Sequence, residues 1–599
     1  MASDKNPAPF ETPVKKPGTS SPWIPLAATV VLAIIATLIL RVPPVGAPWS
    51  QGYDPLGNWL LSTLVAAVPV IVLLGALAST KVPAHWAAVA GLGSAILIAI
   101  FAFHMPGRLA AATATYGAGY GLLPIGWIII NVIFLYHLTV VTGRFNIMQH
   151  SLMNVTQDRR LQLLLIAFSF GAFFEGASGF GTPVAVTATI LIGLDFPPLE
   201  ASALSLIANT APVAYGALGT PILGLAGVTK ISEITLGAQV GRILPVFSFL
   251  VPFWLIVAFV GWKAMLEIWP AIAVAGICFA VPQFLMSNFH GPWLVDIVAA
   301  VISMAALVGF MRVWKPKRVW RFPGEGENTT HDKNRYSGGE VFKAWVPWIV
   351  LSICVFVWGT PQAKKFFDGG PHGSWANITT PKFPVHGLHN LVLRVPPVVA
   401  APTKEGAVFA FNWVSATGSG IFVASIIAGL IMGLSLPKLF KHYGTTLMKV
   451  RFSLLTISAM MAIGFMTRYG GLDATMGLAF ARTGVMYPFF GTMLGWLGVA
   501  LTGSDTASNV LFGSLQKISA QQLHLSPTLM GAANSAGGVM GKMIDAQSIV
   551  VASTATEWYG HEGRILRYVF FHSIALAALV GVVVTLEAYV YPFTKLVLP

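Results

Sequence analysis

Between Leu161 and Phe196 the chain is almost wholly apolar, yet the run carries Glu175, glycines at 171, 176, 179 and 181, and Pro183. Glycine weakens a helix and proline removes a backbone donor. Backbone that leaves the helix at membrane depth is tolerated only where it is buried in protein or lines a cavity. An ionisable side chain at such a depth points to function. Phe170–Pro183 therefore reads as the small-residue tip of a re-entrant hairpin over 161–196, facing a substrate, and the rest of the chain is arranged around it.

Apolar runs of roughly 20 residues, long enough to cross a bilayer, recur from end to end. Hydrophobic residues make up 55% of the 599 and charged residues only 10%, against about a quarter charged in a soluble domain. The class is an all-α polytopic membrane protein embedded in a lipid bilayer. An outer-membrane barrel is excluded because the runs are continuous rather than alternating. The net charge of +14 reflects Lys and Arg gathered in short loops, which set orientation, so no nucleic-acid partner is expected. Cys278 and Cys354 lie in apolar spans and suggest neither a disulfide framework nor a metal site. No cofactor is called for, and no Walker motif is present.

In order, 1–23 reads as a disordered cytoplasmic tail. A first membrane half, 24–311, has spans at 24–41, 58–78, 84–104 and 123–143. The hairpin 161–196 and a broken helix 198–228 follow, then spans at 244–262, 264–284 and 293–311. After a cytoplasmic loop, 312–343, the second half, 344–599, has a span at 344–359 and a periplasmic loop, 360–405. Spans at 409–434 and 450–468 precede a second hairpin, 488–520, a second broken helix, 526–556, and a last span, 567–590. With a cytoplasmic N-terminus, the basic stretches Arg144–Arg160, Arg312–Arg321, Lys438–Arg451 and Arg564–Arg567 all fall inside only if 161–196 enters and leaves on one side. The positive-inside tendency thus supports the hairpin independently of its sequence.

An internal repeat is visible. Asn209-Thr210-Ala211 with Gly216 answers Asn534-Ser535-Ala536 with Gly541, at the same spacing. Upstream, Gly176-Ala177-Ser178 answers Gly503-Ser504-Asp505, and Pro198 answers Pro527. The charge layout orients the halves oppositely. Inverted repeats with discontinuous helices are a signature of secondary transporters, whose site lies near the midplane between repeats.

Residues 171–185, 209–221, 501–513 and 541–549, which hold these features, closely resemble the L-lactate permease family. The resemblance implies a bacterial inner-membrane symporter of lactate, and often glycolate, with protons. More distantly it implies the ion-transporter superfamily: two inverted repeats, each with a re-entrant hairpin and a broken helix, often in a homodimer of scaffold and mobile transport domains.

A 2-hydroxy acid presents a carboxylate, a hydroxyl and a small apolar tail. Backbone N–H groups at helix N-termini can hold the carboxylate. Ser178, Gly179, Gly181 and Thr182 are expected at the first tip, and Ser504, Asp505, Thr506, Ser508 and Asn509 at the second. Asn209, Thr210, Asn534 and Ser535 are expected to mark the helix breaks. Singly, such residues serve close helix packing; clustered at matched repeat positions, they point to substrate. Glu175, Asp505 and Asp545 are expected to be buried. Burial raises a carboxyl pKa into a range useful for carrying a proton, with Glu175 the first choice and Asp505 the second. Lys542, three residues before Asp545, shares a helix face with it in this reading, and either pairs with it or meets the substrate anion. His137 is a further candidate for proton transfer, with an interhelical donor role as the plainer alternative. Arg468 is expected to snorkel, and Asp296 to sit at a membrane interface.

The expected function is proton-coupled uptake of L-lactate and related 2-hydroxy monocarboxylates, D-lactate and glycolate among them. The alternatives are sodium coupling, through Asn509 and tip carbonyls, and an uncoupled anion channel. Buried acids along the path oppose the channel, because they repel an anion unless protonated. A membrane-embedded enzyme lacks both a nucleophile–base pair and a metal cluster.

Overall fold

The computed structural model describes residues 48–78, 82–153, 155–177, 179, 181–322, 336–369, 375–399, 401–558 and 561–599. The expected tail 1–23, the expected span 24–41 and Ser178 lie outside them. Among the described residues the fold is mostly helical. Eight helices are long and apolar enough to cross a membrane, or nine if one bent pair is counted as a span.

The elements that build the site are few. Helix α1, Gly107–Val141, is a kinked span, beginning well before the expected 123–143. Its kink sits at Leu123, next to Pro124, where the backbone is extended. The expected first hairpin comprises α2, Arg159–Ala177, and α3, Thr182–Gly193. The next pair is α4, Pro198–Ala208, and α5, Gly216–Thr229, bent by 63° at the break between them. Helix α6, Val295–Val313, flanks the first hairpin. In the second half, α7 is a continuous helix, Leu436–Gly470, and α8, Tyr487–Thr502, leads to α9, Asp505–Gln522. The last pair is α10, Pro527–Gly541, and α11, Ala546–Ala555.

Local chemistry fixes these boundaries. Pro198 and Pro527 stand in the first turn of α4 and α10, where a missing N–H costs nothing. Ser504 and Ser526 cap α9 and α10 by accepting from Ala507 and Leu529 backbone N–H groups, as N-cap serines do. Glycine lets helices touch. A side chain added at Gly495 would collide with the Asn534 backbone, and one at Gly537 with Thr492, so α8 and α10 meet along their backbones.

In each expected hairpin the two limbs pack against each other. Gly171 of α2 faces Thr187 of α3, and Ser508 of α9 donates to the Gly495 carbonyl of α8 at 3.1 Å. The packing between the halves is reciprocal: α3 lies on α11, and α5 lies on α9. In each case the second limb of one hairpin meets the second piece of the other half's broken helix. The apolar window of α2 is 100% buried, whereas the other spans bury 28–67% of theirs. That makes α2 the central strut and leaves the others with lipid-sized apolar faces.

Strand structure enters through segments that the all-α expectation treats as loop. Strands β1, Trp49–Ser50, β3, Val392–Arg394, and β4, Thr403–Lys404, form one small sheet; β2, Lys382–Pro384, pairs with β5, Val408–Ala410, in another. Together they cap the C-terminal end of α7. Gln51 Nε2 donates to the Arg468 and Tyr469 carbonyls at 2.9 and 2.8 Å, and Tyr469 OH donates to the Gly406 carbonyl at 2.7 Å.

Candidate functional site

At the first tip, Gly179 (φ 59°) and Gly181 (φ 79°) take left-handed conformations that glycine adopts at least cost. Thr182 and Pro183 then start α3. Residues 164–170 of α2 form π-helical turns, a distortion that is frequent at functional sites. Glu175 sits in the last turn of α2, 5% exposed. Asn209 Nδ2 donates to its Oε2 at 3.1 Å. Its Oε1 lies against Gly216, where any added side chain would collide with it. Asn209 terminates α4 as expected, and Pro212 follows three residues on. Thr210 Oγ1 donates to the Ile207 carbonyl at 2.8 Å, turning back into the helix end. The break continues through left-handed backbone at Ala217 (φ 43°) and Leu218 (φ 56°), a strain of order 1–3 kcal/mol per residue that clusters at functional sites.

At the second tip, Gly503 (φ 72°) ends α8 and Asp505 opens α9. Asp505 Oδ2 accepts from Asn509 Nδ2 at 3.1 Å and from Ser535 Oγ at 2.5 Å. Its Oδ1 abuts Gly538 and has no hydrogen-bond partner among the described residues. Asn509 Nδ2 also donates to the Pro221 carbonyl of α5 at 3.2 Å, tying the two halves together. Asn534 Nδ2 donates to Asn509 Oδ1 at 3.0 Å and to Ser508 Oγ at 3.4 Å. Gln516 Nε2 donates to Asn534 Oδ1 at 3.1 Å, and Tyr487 OH to Gln516 Oε1 at 2.7 Å. A continuous polar ladder thus runs from the tip into the α8–α10 interface.

Lys542 links the parts. Its Nζ donates to the Gly503 carbonyl at 2.5 Å and lies 3.4 Å from Asp545 Oδ2. A cation at the C-terminal end of α8 also complements that helix's dipole. Asp545 Oδ1 accepts the Ser548 N–H at 2.7 Å, capping α11. The ammonium is within electrostatic reach of both Glu175 and Asp505, so the acids of the two halves share one cation. Beside the second tip a small cavity, about 20 Å³, lies between Ser504, Thr506 and Val510 on one side and Ile129, Ile457 and Met461 on the other. That is room for one water-sized sphere.

Several expectations need correction. Asn534 and Ser535 do not mark a break: they lie in the middle of α10, and the second break falls at residues 542–545. Pro212 interrupts the first pair, whereas 534–541 contains no proline and stays helical until Asp545 caps a new start. Lys542 lies 3.4 Å from Asp545, one of its two expected roles, but the pair spans that break rather than sharing one helix face. His137 faces His442 of α7 with ring centroids 5.4 Å apart, and among the described residues it forms no hydrogen bond or ion pair with the candidate acids. Asp296, expected near an interface, is 1% exposed in the first turn of α6. Its Cβ sits where a side chain on Gly176 would fall, and neither carboxylate oxygen has a hydrogen-bond partner among the described residues. Arg468 does not snorkel: it is 5% exposed and ion-paired to Glu405. Among the described residues no cluster of three or more His, Cys, Asp or Glu side chains is suited to a metal ion.

The family model described as L-lactate permease matches residues 62–591 of this chain. The glycolate permease GlcA of Escherichia coli (strain K12) is 47% identical over 91% of this chain and 98% of that protein. An L-lactate permease of Bacillus subtilis (strain 168) is 44% identical over 91% and 99%. Among solved structures, Neisseria gonorrhoeae MtrF, titled as illuminating a class of antimetabolite efflux pumps, is similar with a TM-score of 0.42. Its sequence identity is 13%, over 80% of this chain and 84% of that one.

Proposed function

The chain belongs to the L-lactate permease family, and on that premise we propose that it couples inward movement of L-lactate, D-lactate or glycolate to movement of protons. As a member of that family it is a multi-pass membrane transporter and not an enzyme. The observation that carries the coupling is the placement of Glu175 and Asp505. Each is a buried acid beside a hairpin tip, each is held by a side chain of the following helix pair, and both are in reach of the Lys542 ammonium.

In this reading the acids compete with the substrate carboxylate. While ionised they repel a further carboxylate at the tips; once protonated they let one approach the Lys542 ammonium, which Asp545 also holds, and the N-terminal N–H groups of α9 and α3. Ser504, Thr506 and Asn509 at the second tip, and Ser178, Gly179, Gly181 and Thr182 at the first, surround it. Asn209, Thr210, Ser508, Asn534 and Ser535 supply hydroxyls and amides for the substrate hydroxyl or for the acids. Proton and substrate then bind with mutual reinforcement, as linkage requires. The mirrored packing of α3 on α11 and α5 on α9 supports two inverted repeats, with both hairpins re-entrant. The basic stretches support a cytoplasmic N-terminus, and family membership supports a bacterial inner membrane.

The test is uptake of labelled L-lactate by the purified protein in liposomes. An imposed inward pH gradient should drive accumulation, a sodium gradient should not, and glycolate and D-lactate should compete. Accumulation that follows sodium would replace the proton by that ion. Absence of counterflow would leave an uncoupled channel.

A further inference from the structure

Far from the tips, at the end of α7, four cationic side chains surround one carboxylate. Arg468 directs Nε to Glu405 Oε1 at 3.0 Å, and its Nη2 donates to the same oxygen. Its Nη1 donates to the Val228 carbonyl in the last turn of α5. Lys517 Nζ donates to the neighbouring Thr229 carbonyl at 2.7 Å. Arg394 Nε lies 3.9 Å from Glu405 Oε2. Lys230 Nζ lies over the rings of Phe465, Tyr120 and Tyr116 at 5.1, 5.7 and 5.8 Å. Asp473 is the second acid in electrostatic reach of Arg468. Among the described residues four cations thus face two acids, with Arg468 buried, Lys517 half-buried and Lys230 exposed.

Glu405 belongs to the cap. Its N–H donates to the Val392 carbonyl of β3 at 2.8 Å, and it follows β4 directly. Its side chain enters the cluster from the covering layer, while Arg468, Lys230 and Lys517 belong to the helices beneath. Those helices form one seam with the second tip. Gly224 of α5 faces Thr506 and Val510 of α9, Gly464 of α7 faces Val510 and Val228, and Gly513 of α9 faces Leu225, Val228 and Thr229. One end of the seam holds Thr506, and the other holds Arg468.

We propose that Arg468, with Lys230 and Lys517, forms an entry site for a small monocarboxylate, which the protein's own Glu405 occupies in this conformation. The fork of a guanidinium accepts any carboxylate in this way. An incoming substrate exchanges with Glu405, the cap loses its ionic latch to α7, and the seam, closed in this conformation by these glycine contacts, then has to part to let the anion toward the tip. Cap and latch together are the gate. This rests on the reading that the chain moves carboxylates, and it assigns the step before the tips.

The test uses the full-length purified protein carrying Ala407→Cys, at a buried cap position. Maleimide labelling of the peptide containing residue 407 is timed with L-lactate, with acetate and with the neutral analogue lactamide. Both carboxylates should accelerate labelling by about fivefold or more, in the range of ordinary coupling between sites, and lactamide should not. Equal rates under all conditions, or acceleration by lactamide as well, would overturn the proposal. In liposomes, Glu405→Gln should lower the KM for lactate by removing the internal competitor, and Arg468→Gln should raise it about tenfold or more. An unchanged or raised KM in Glu405→Gln would count against the site. Should that variant not fold, the labelling of Ala407→Cys decides alone. Proton-driven uptake with no effect on labelling refutes the gate and keeps the function; acceleration by carboxylates without lactate uptake does the reverse.

Discussion

The first helix–tip–helix unit and its broken helix, residues 159–229, and their counterpart, residues 487–555, do similar things with opposite economy. In the second, Asp505 has two hydrogen-bond donors, Asn534 reaches three side chains, and Lys542 bolts the tip to the break. In the first, Glu175 has one donor, Asn209, whose own Oδ1 is unpartnered among the described residues. Asp296 lies close by, its carboxylate also without a hydrogen-bond partner among the described residues. Unsatisfied buried polar groups are costly, so the sparse unit is where a proton or a substrate gains most by arriving. Among the described residues, that difference leads us to propose the first unit as the main carrier of the changing charge and the second as the more rigid.

The strongest way to break that assignment is to neutralise each acid in turn. Glu175→Gln mimics the protonated side chain. It should abolish pH-driven accumulation of lactate in liposomes while counterflow persists. Asp505→Asn keeps an acceptor for Ser535 and, as the second proton carrier, should reduce pH-driven accumulation without abolishing it, with weaker binding. The reverse pattern would move the proton to the second unit. Next in size is Lys542→Met, which leaves Asp545 buried beside an uncapped Gly503 carbonyl. Removing one partner of a buried ion pair costs about 3–5 kcal/mol, and the loss should appear as a lowered thermal unfolding midpoint in detergent. A midpoint equal to that of the parent would mean that the bolt is not structural.

Much of this was legible in the residues. The glycine-rich stretches flanked by an acid fall where α2 gives way to α3 and α8 to α9, and Asn209 falls where α4 ends. The second break was misplaced because Asn534 and Ser535 repeat the residue types of Asn209 and Thr210 without a proline after them. Matching letters carry the duplication, but not the backbone. The burial of Asp296 and Arg468 was not readable, because what covers them comes from far along the chain: Gly176 for one, Glu405 for the other. The cap strands run to two or three residues, too short for any period to show.

The smallest expected effects separate the two units most finely. Asn534→Ala removes bonds to Gln516, Asn509 and Ser508, whereas Asn209→Ala removes one, to Glu175. Both should weaken lactate binding, with the greater loss of thermal stability in Asn534→Ala. Thr210 and Ser535 then occupy matched repeat positions with different tasks. Ser535 Oγ donates to Asp505 at 2.5 Å, and Thr210 Oγ1 only returns to the Ile207 carbonyl of its own helix at 2.8 Å. Ser535→Ala should therefore cost about 1–3 kcal/mol, the price of a buried acceptor left short, and Thr210→Val should stay within about 0.5 kcal/mol with an unchanged KM for lactate. A raised KM in Thr210→Val, at unchanged stability, would show that this hydroxyl leaves the Ile207 carbonyl for the substrate. The two halves would then be alike in function where they differ in hydrogen bonding.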